Sequence, residues 1–381
     1  MPLLYFDNAT TSYPKPPVLR EALASFYDQP IGSYGRSLDE VTMQATLQVE
    51  QLRDALACWL GVEDADRVVL CENATFGLNT ILRGYAPLRQ HDAWVWISPM
   101  EHNAVMRPLA ALGTQYGLRY EVMPHLPDGR VDVERLSTLP RATLPALAIV
   151  NIESNVNGVI QPMAQIAAAM HRWGIPLLCD ATQCAGSMPL QIDEWGVDFV
   201  AFTGHKGLLG PSGTGGYYIR RPEEVEPLTL GGNGHHSESL LATREMPDRF
   251  LAGTPNLLGL TAWAAAMEQI PSYSISPSMW WEALREWDKL PSIRLYHALE
   301  AEHQGYLFSL THECLSPSEL ATRLHHRFGI IVRSGLHCAP LAHKTLGTLE
   351  VGGALRISIS PYQTLEDWDY LTNALRQVLH D

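Results

Sequence analysis

The stretch AFTGHKGLLGPSGTGG (Ala201–Gly216) sets one lysine, Lys206, after a histidine and ahead of two leucines, with six glycines in the same sixteen residues. Lysine belongs on surfaces, and an amine held among apolar groups loses part of its preference for the charged form. Two readings follow from the residues alone. Either the side chain snorkels to water, or its surroundings hold an amine that reacts. The stretch opens on the end of an apolar run, DFVAFT (198–203), so Lys206 sits just past the carboxyl end of an expected buried strand.

Working outward, further short apolar runs read as strands: RVVLC (67–71), WVWIS (94–98), RYEVM (119–123), ALAIVN (146–151), PLLCD (176–180) and GGYYI (215–219). Helical patterns lie near 41–60, 75–83, 102–116, 162–173 and 185–195. Buried strands alternating with helices predict an α/β sheet, mostly parallel, covered on both faces. Ligands in such sheets sit at the carboxyl ends of the strands. After about residue 260 the texture changes. A helical pattern over 257–269 leads through IPSYSISPS (270–278) into helix 279–289, and the remaining strands with helices 317–328 and 364–379 predict a smaller α+β unit.

Bulk properties narrow the function. The chain has 381 residues, 46% hydrophobic and 18% charged, which is the composition of a globular enzyme large enough for two domains. A formal charge of −14 repels phosphate backbones, so no nucleic-acid partner is expected. The start, MPLLYFDNATTSYPKPP, reads as mature protein and not as a signal peptide, and no apolar run approaches a membrane span. Six cysteines (Cys58, Cys71, Cys179, Cys184, Cys314, Cys338) form no C-x-x-C pair, which argues against a disulfide scaffold or a metal site and suits the reducing cytoplasm.

Polar groups collect where the expected strands end. LLCDATQCAG runs a strand into Asp180, with Gln183 three residues on; FVAFTGHKG runs another into Thr203, His205 and Lys206. CENATFGLN ends a strand and opens a helix at Ala74 and Thr75, whose free N–H groups suit a phosphate, and SPMEHNAV does the same with His102. Singly, Asp180 reads as a helix cap, Lys206 as a surface lysine and His102 as a helix-start residue. Together they fit pyridoxal phosphate, with a Schiff-base lysine, a carboxylate for the pyridine nitrogen and a helix end for the phosphate. Spacing alone leaves a different α/β ligand site equally open.

The segments YFDNATTSYPKPP, DATQCAG, FTGHKGLLGP, RFLAGTPN, RSGLHCAPLAHKTLGT and LRISISPYQT, taken together, resemble class-V aminotransferase-fold enzymes of the cysteine desulfurase and selenocysteine lyase group. The resemblance implies a fold-type-I α/β homodimer. Its large cofactor-binding domain would span 13–260 around a mostly parallel seven-stranded sheet, and its small α+β domain would combine 1–12 with 261–381. It implies Lys206 as the imine-forming lysine, Asp180 at the pyridine nitrogen, Gln183 near the phenolic oxygen and His102 stacked on the ring. Ala74, Thr75, Thr203 and His205 fall in phosphate-binding motifs, and Gly253 with Thr254 would reach the phosphate of the opposite subunit. Asn155 would touch cofactor and substrate, and Arg356 would clamp the substrate carboxylate, a task suited to its planar fork.

RSGLHCAP singles out Cys338 as the implied sulfur-accepting nucleophile, with Arg333 at the substrate; Arg333 and His337 are expected to favour the thiolate. The short R-x-G-x-H-C-A form is similar to the branch that hands its persulfide to a separate acceptor protein. The implied reaction converts L-cysteine to L-alanine; the alternatives within the same fold are a selenocysteine lyase and a cystine or cysteine C–S lyase. Lys206 would be the base for the α-proton and His102 a second acid or base. YGRSLDEV (34–41) departs from the resembled pattern at Arg36, and GGNGHHSESL (231–240) at His235 and His236.

Overall fold

The computed structural model describes residues 3–28, 30–35, 39–139, 144–232, 234, 239–241 and 243–380; Arg36, His235 and His236 lie outside them. Seven strands pair in the order Val68–Cys71, Gly215–Ile219, Phe199–Thr203, Leu177–Asp180, Leu147–Asn151, Trp94–Ile97, Arg119–Val122. Gly215–Ile219 runs antiparallel to both neighbours, and every other pair is parallel. The mostly parallel sheet is therefore as expected.

Successive residues of the central strands serve opposite layers, as the pleat requires. Ile149, Leu178 and Phe199 join a core with Leu78 and Ile81 of helix Ala74–Gly84 and Leu109 of helix Asn103–Tyr116. Their neighbours Val150, Cys179 and Val200 join a second core with Leu56 of helix Glu40–Leu60, Met170 of helix Met163–Trp173 and Trp263 of helix Leu257–Met267. Both faces are thus covered, which is why these strands read as unbroken apolar runs.

A four-stranded antiparallel sheet, Arg333–Gly335, Ala354–Ser358, Leu307–His312 and Ile293–Tyr296, carries helices Pro277–Trp287, Pro317–Phe328 and Leu365–His380. Its core is aromatic, with Trp287 stacked on Trp368 at 4.7 Å. The N-terminal segment belongs to this layer. Leu4–Tyr5 pairs with Ile330–Ile331, and Phe6 is buried in the same core. The chain then crosses to the large sheet, where Thr11 and Ser12 hydroxyls and the Lys15 amine donate to the carbonyls of His205 and Lys206.

One expected helix is corrected. Of 185–195 only Ile192–Trp195 is helical; Thr182–Ser187 is a run of turns. The reason is a close approach. A Cβ on Gly186, whose φ is +82°, would meet the Gly207 carbonyl oxygen at 2.2 Å, so the segment bends to let the Lys206 loop pass.

Candidate active site

The strand register brings the polar ends together. Asn151 is level with Asp180, Asp180 with Ala201, and Thr203 with Gly215, so Asn151, Asp180 and Thr203 share one sheet edge. Above that edge lies a cavity of about 210 Å³ lined by both sheets' loops. Lys206 lines it and donates through Nζ to Gln183 Oε1 at 3.3 Å. Loss of solvation, then the Arg356 guanidinium and Arg333 beyond it, lower the amine to about 8 despite the opposing charge of Asp180.

Asp180 is buried, and its Oδ1 accepts the Thr182 N–H at 2.9 Å; it opens turns and not a helix. His102 combines two roles. Its Nδ1 accepts the Ala104 N–H at 3.0 Å as the cap of helix Asn103–Tyr116, while the ring lines the cavity. That bond puts the ring proton on Nε2. Burial holds the imidazole at about 4, hence neutral. Thr75 and Ala74 open helix Ala74–Gly84 at the cavity wall, with Asn73 capping it through Phe76 N–H. Thr203 is held by the Thr214 carbonyl at 3.4 Å, and burial lowers His205 to about 4.

Across the cavity stand two arginines. Arg356 is fully buried and donates to Asn155 O at 2.9 Å, Asp7 Oδ1 at 2.7 Å and Thr10 Oγ1 at 2.9 Å. Arg333 donates to the same Thr10 hydroxyl at 2.6 Å, and its other arm lies 3.9 Å from Cys338 Sγ. Cys338 is exposed in a turn after strand Arg333–Gly335 and lines the cavity mouth. The expectation for His337 is corrected. Burial, with Arg356 and His343 nearby, pushes this ring down to about 2, so it is neutral and lends no positive charge to the thiol. Its carbonyl instead accepts from Asn155 Nδ2 at 2.8 Å.

Gly253 and Thr254 are not brought to this cavity within the chain. They line another, about 290 Å³, with Tyr34, Arg53 and Phe76. Several cavity neighbours carry no assignment from the sequence: Asp7, Thr10, Asn151, Thr182 and the buried Glu101, whose Oε1 accepts from Ser98 and the Asn151 N–H. Asp7 and Thr10 lie in the quoted YFDNATT, but their partner Arg356 is 349 and 346 residues away, a pairing no local pattern encodes. Burial raises Glu101 to about 8.

Five buried polar atoms on the cavity wall have no hydrogen-bond partner among the described residues: Asn151 Oδ1, Asn155 Oδ1, Thr182 Oγ1, His205 Nδ1 and Arg356 Nε. Buried polar groups are nearly always satisfied, so their concentration marks a site shaped for a polar ligand. Donors, acceptors, a helix start and a poorly solvated amine are all present, which is the set a phosphorylated aldehyde requires.

The class-V aminotransferase family model matches residues 4–371. This chain belongs to the class-V aminotransferase family. Within it, the chain is 33% identical to a Xylella fastidiosa protein named "Probable cysteine desulfurase", over 99% of this chain and 91% of that one. It is 31% identical to cysteine desulfurase CsdA of Escherichia coli, over 99% and 94% respectively. An apo structure of a cysteine desulfurase from Thermococcus onnurineus superposes with a TM-score of 0.91 at 27% identity, over 99% of this chain and 95% of that one. The Escherichia coli CsdA structure superposes with a TM-score of 0.86 at 29% identity and the same coverage. The chain thus falls in the cysteine desulfurase branch of the class-V family, with the α/β fold expected for it. Among its described residues no helix is long and apolar enough to cross a membrane.

Proposed function

We propose that this class-V enzyme is a pyridoxal-phosphate-dependent cysteine desulfurase that moves sulfur from L-cysteine to Cys338. The single observation that carries this reading is that a desolvated lysine amine and an exposed thiol open onto one cavity that two arginine side chains also line.

Pyridoxal phosphate, when bound, supplies an electron sink for the pair left at the substrate carbons. Lys206 would hold it covalently, Asp180 would face its ring nitrogen, and Gln183, Asn155 and the neutral His102 ring would orient it. Ala74, Thr75, Thr203 and His205 would take the phosphate. Arg356, fixed by Asp7 and Asn155, receives the substrate carboxylate through its unpartnered Nε–H, with Arg333 beside it. The Lys206 amine, lowered to about 8, is suited to take the substrate α-proton and to return it to the same carbon in the product. Cys338 thiolate then attacks the substrate sulfur. The S–S bond forms as the C–S bond breaks, the electron pair stays on carbon and takes a proton, and the products are alanine and a Cys338 persulfide.

In this reading two copies of the chain pair, each lending Gly253 and Thr254 to the other's phosphate, and the large and small domains divide near residues 12 and 260. The enzyme works in the cytoplasm, where its cysteines stay reduced and the persulfide passes to an acceptor protein. The test is Cys338→Ala. The variant is expected to bind the cofactor with its yellow colour and to release no sulfide from L-cysteine. Alanine and sulfide appearing at the wild-type rate would contradict persulfide transfer and leave a simple C–S lyase.

A further inference from the structure

Behind the thiol lies a hydrogen-bonded chain that the reaction above does not use. Thr348 Oγ1 is 2.7 Å from His343 Nδ1, His343 Nε2 is 3.2 Å from His337 Nδ1, and His337 Nε2 is 3.5 Å from the Arg333 carbonyl. All three side chains are buried, and His343 is wholly so. The two rings lie 5.2 Å apart. Burial holds His343 at about 4 and His337 lower still, so neither ring is a cation at neutral pH.

The terminal carbonyl fixes every proton in this chain. A carbonyl only accepts, so His337 Nε2 carries the hydrogen and His337 Nδ1 is an acceptor. His343 must then donate from Nε2, which leaves its Nδ1 to accept the Thr348 hydroxyl. The bonds run one way, from Thr348 through His343 and His337 to the backbone of the arginine that reaches Cys338.

The chain props an unfavourable conformation. His337 and Cys338 both have positive φ, 50° and 56°, which non-glycine residues rarely adopt in succession. Two further bonds grip the same turn: Asn155 Nδ2 to His337 O, and the Asn103 N–H to Cys338 O at 2.8 Å. Helix Pro340–Thr345, which carries His343, is anchored in turn by Thr345 Oγ1 on Pro99 O at 2.9 Å.

We propose that His343 is a positioning residue for sulfur transfer: its imidazole, oriented by Thr348, locks His337 and so holds the Cys338 thiol beside Arg333 at the cavity mouth. This inference rests on the reading of Cys338 as the sulfur acceptor. The enzyme keeps its nucleophile on a braced turn, and loosening the brace costs transfer without emptying the cofactor or carboxylate sites.

The test uses the holoenzyme. His343→Leu, which removes both bonds, is expected to slow persulfide formation on Cys338 by about tenfold or more, with colour and KM for L-cysteine retained. His343→Gln, whose amide both accepts from Thr348 and donates to His337, is expected to restore most of the rate. Equal rates in wild type and His343→Leu, or a parallel loss of colour and substrate affinity that Gln fails to rescue, would overturn the proposal. Should His343→Leu not fold, imidazole nitrogen NMR on the wild-type protein decides. Both rings are expected as neutral Nε2–H tautomers at about pH 7, and an Nδ1–H tautomer or a cation in either ring would overturn the chain. Failure of the underlying reading shows elsewhere, as normal sulfide release by Cys338→Ala.

Discussion

The Arg356 guanidinium meets the Asp7 carboxylate at 2.7 Å, joining opposite ends of the chain inside the active-site wall. The arginine is fully buried, and Asp7 is its only carboxylate partner among the described residues. Removing one member of such a pair strands the other charge. Asp7→Asn is expected to lower unfolding stability by about 3 kcal/mol and to raise KM for L-cysteine. Denaturant unfolding with initial-rate kinetics checks both, and unchanged stability would show that Arg356 has another counter-charge.

Lys206 carries a pH signature. Its amine is lowered from 10.5 to about 8 by burial and the two arginines. The neutral form, which attacks an aldehyde, therefore dominates above about pH 8 and falls about tenfold per unit below it. Stopped-flow absorbance of the cofactor-free protein mixed with pyridoxal phosphate is expected to show imine formation rising to a plateau near that pH. A rate still climbing toward the ordinary lysine range would mean the amine is solvated.

His102 both caps a helix and lines the cavity, and two substitutions separate the roles. His102→Asn keeps a capping oxygen and loses the ring, so thermal stability is expected to hold while turnover collapses. His102→Ala loses both, with an added cost of about 1 kcal/mol. If the two variants are equally stable, the Nδ1 bond to Ala104 contributes nothing.

Glu153 is buried at a second, smaller pocket lined also by Gln183 and Tyr273, and burial raises it from 4.5 to about 8, with Lys206 opposing. The folded state therefore binds a proton that the unfolded state releases between those two values. That contribution to stability is full below about pH 4.5 and is lost as pH rises through about 8. Glu153→Gln is expected to raise the melting temperature at about pH 8 and to leave it unchanged at about pH 4.5. Parallel wild-type and variant melting curves across that range would refute the assignment.

The central sheet was legible because Leu147–Asn151 and Phe199–Thr203 are buried at every residue, so apolar runs and strands coincide. The polar residues ending those strands were legible for the same reason, since the apolar pattern stops where the cavity starts. What periodicity does not carry is contact between distant segments. The pattern over 185–195 suggests a longer helix than forms because Ala185 packs in the core, while the constraint is imposed by Gly207, twenty-two residues on. Asp7 and Thr10 carry no signal of their own because their role exists only once Arg356 is folded against them. His337 stands next to the thiol in sequence, but its ring turns inward to His343 and is buried, which adjacency does not encode.

The most direct test of the account is the mass of the Cys338 peptide after the holoenzyme turns over L-cysteine without reductant. One added sulfur atom on Cys338, absent when Lys206 is replaced by alanine, is the predicted result. Turnover to alanine with Cys338 unmodified throughout would contradict it.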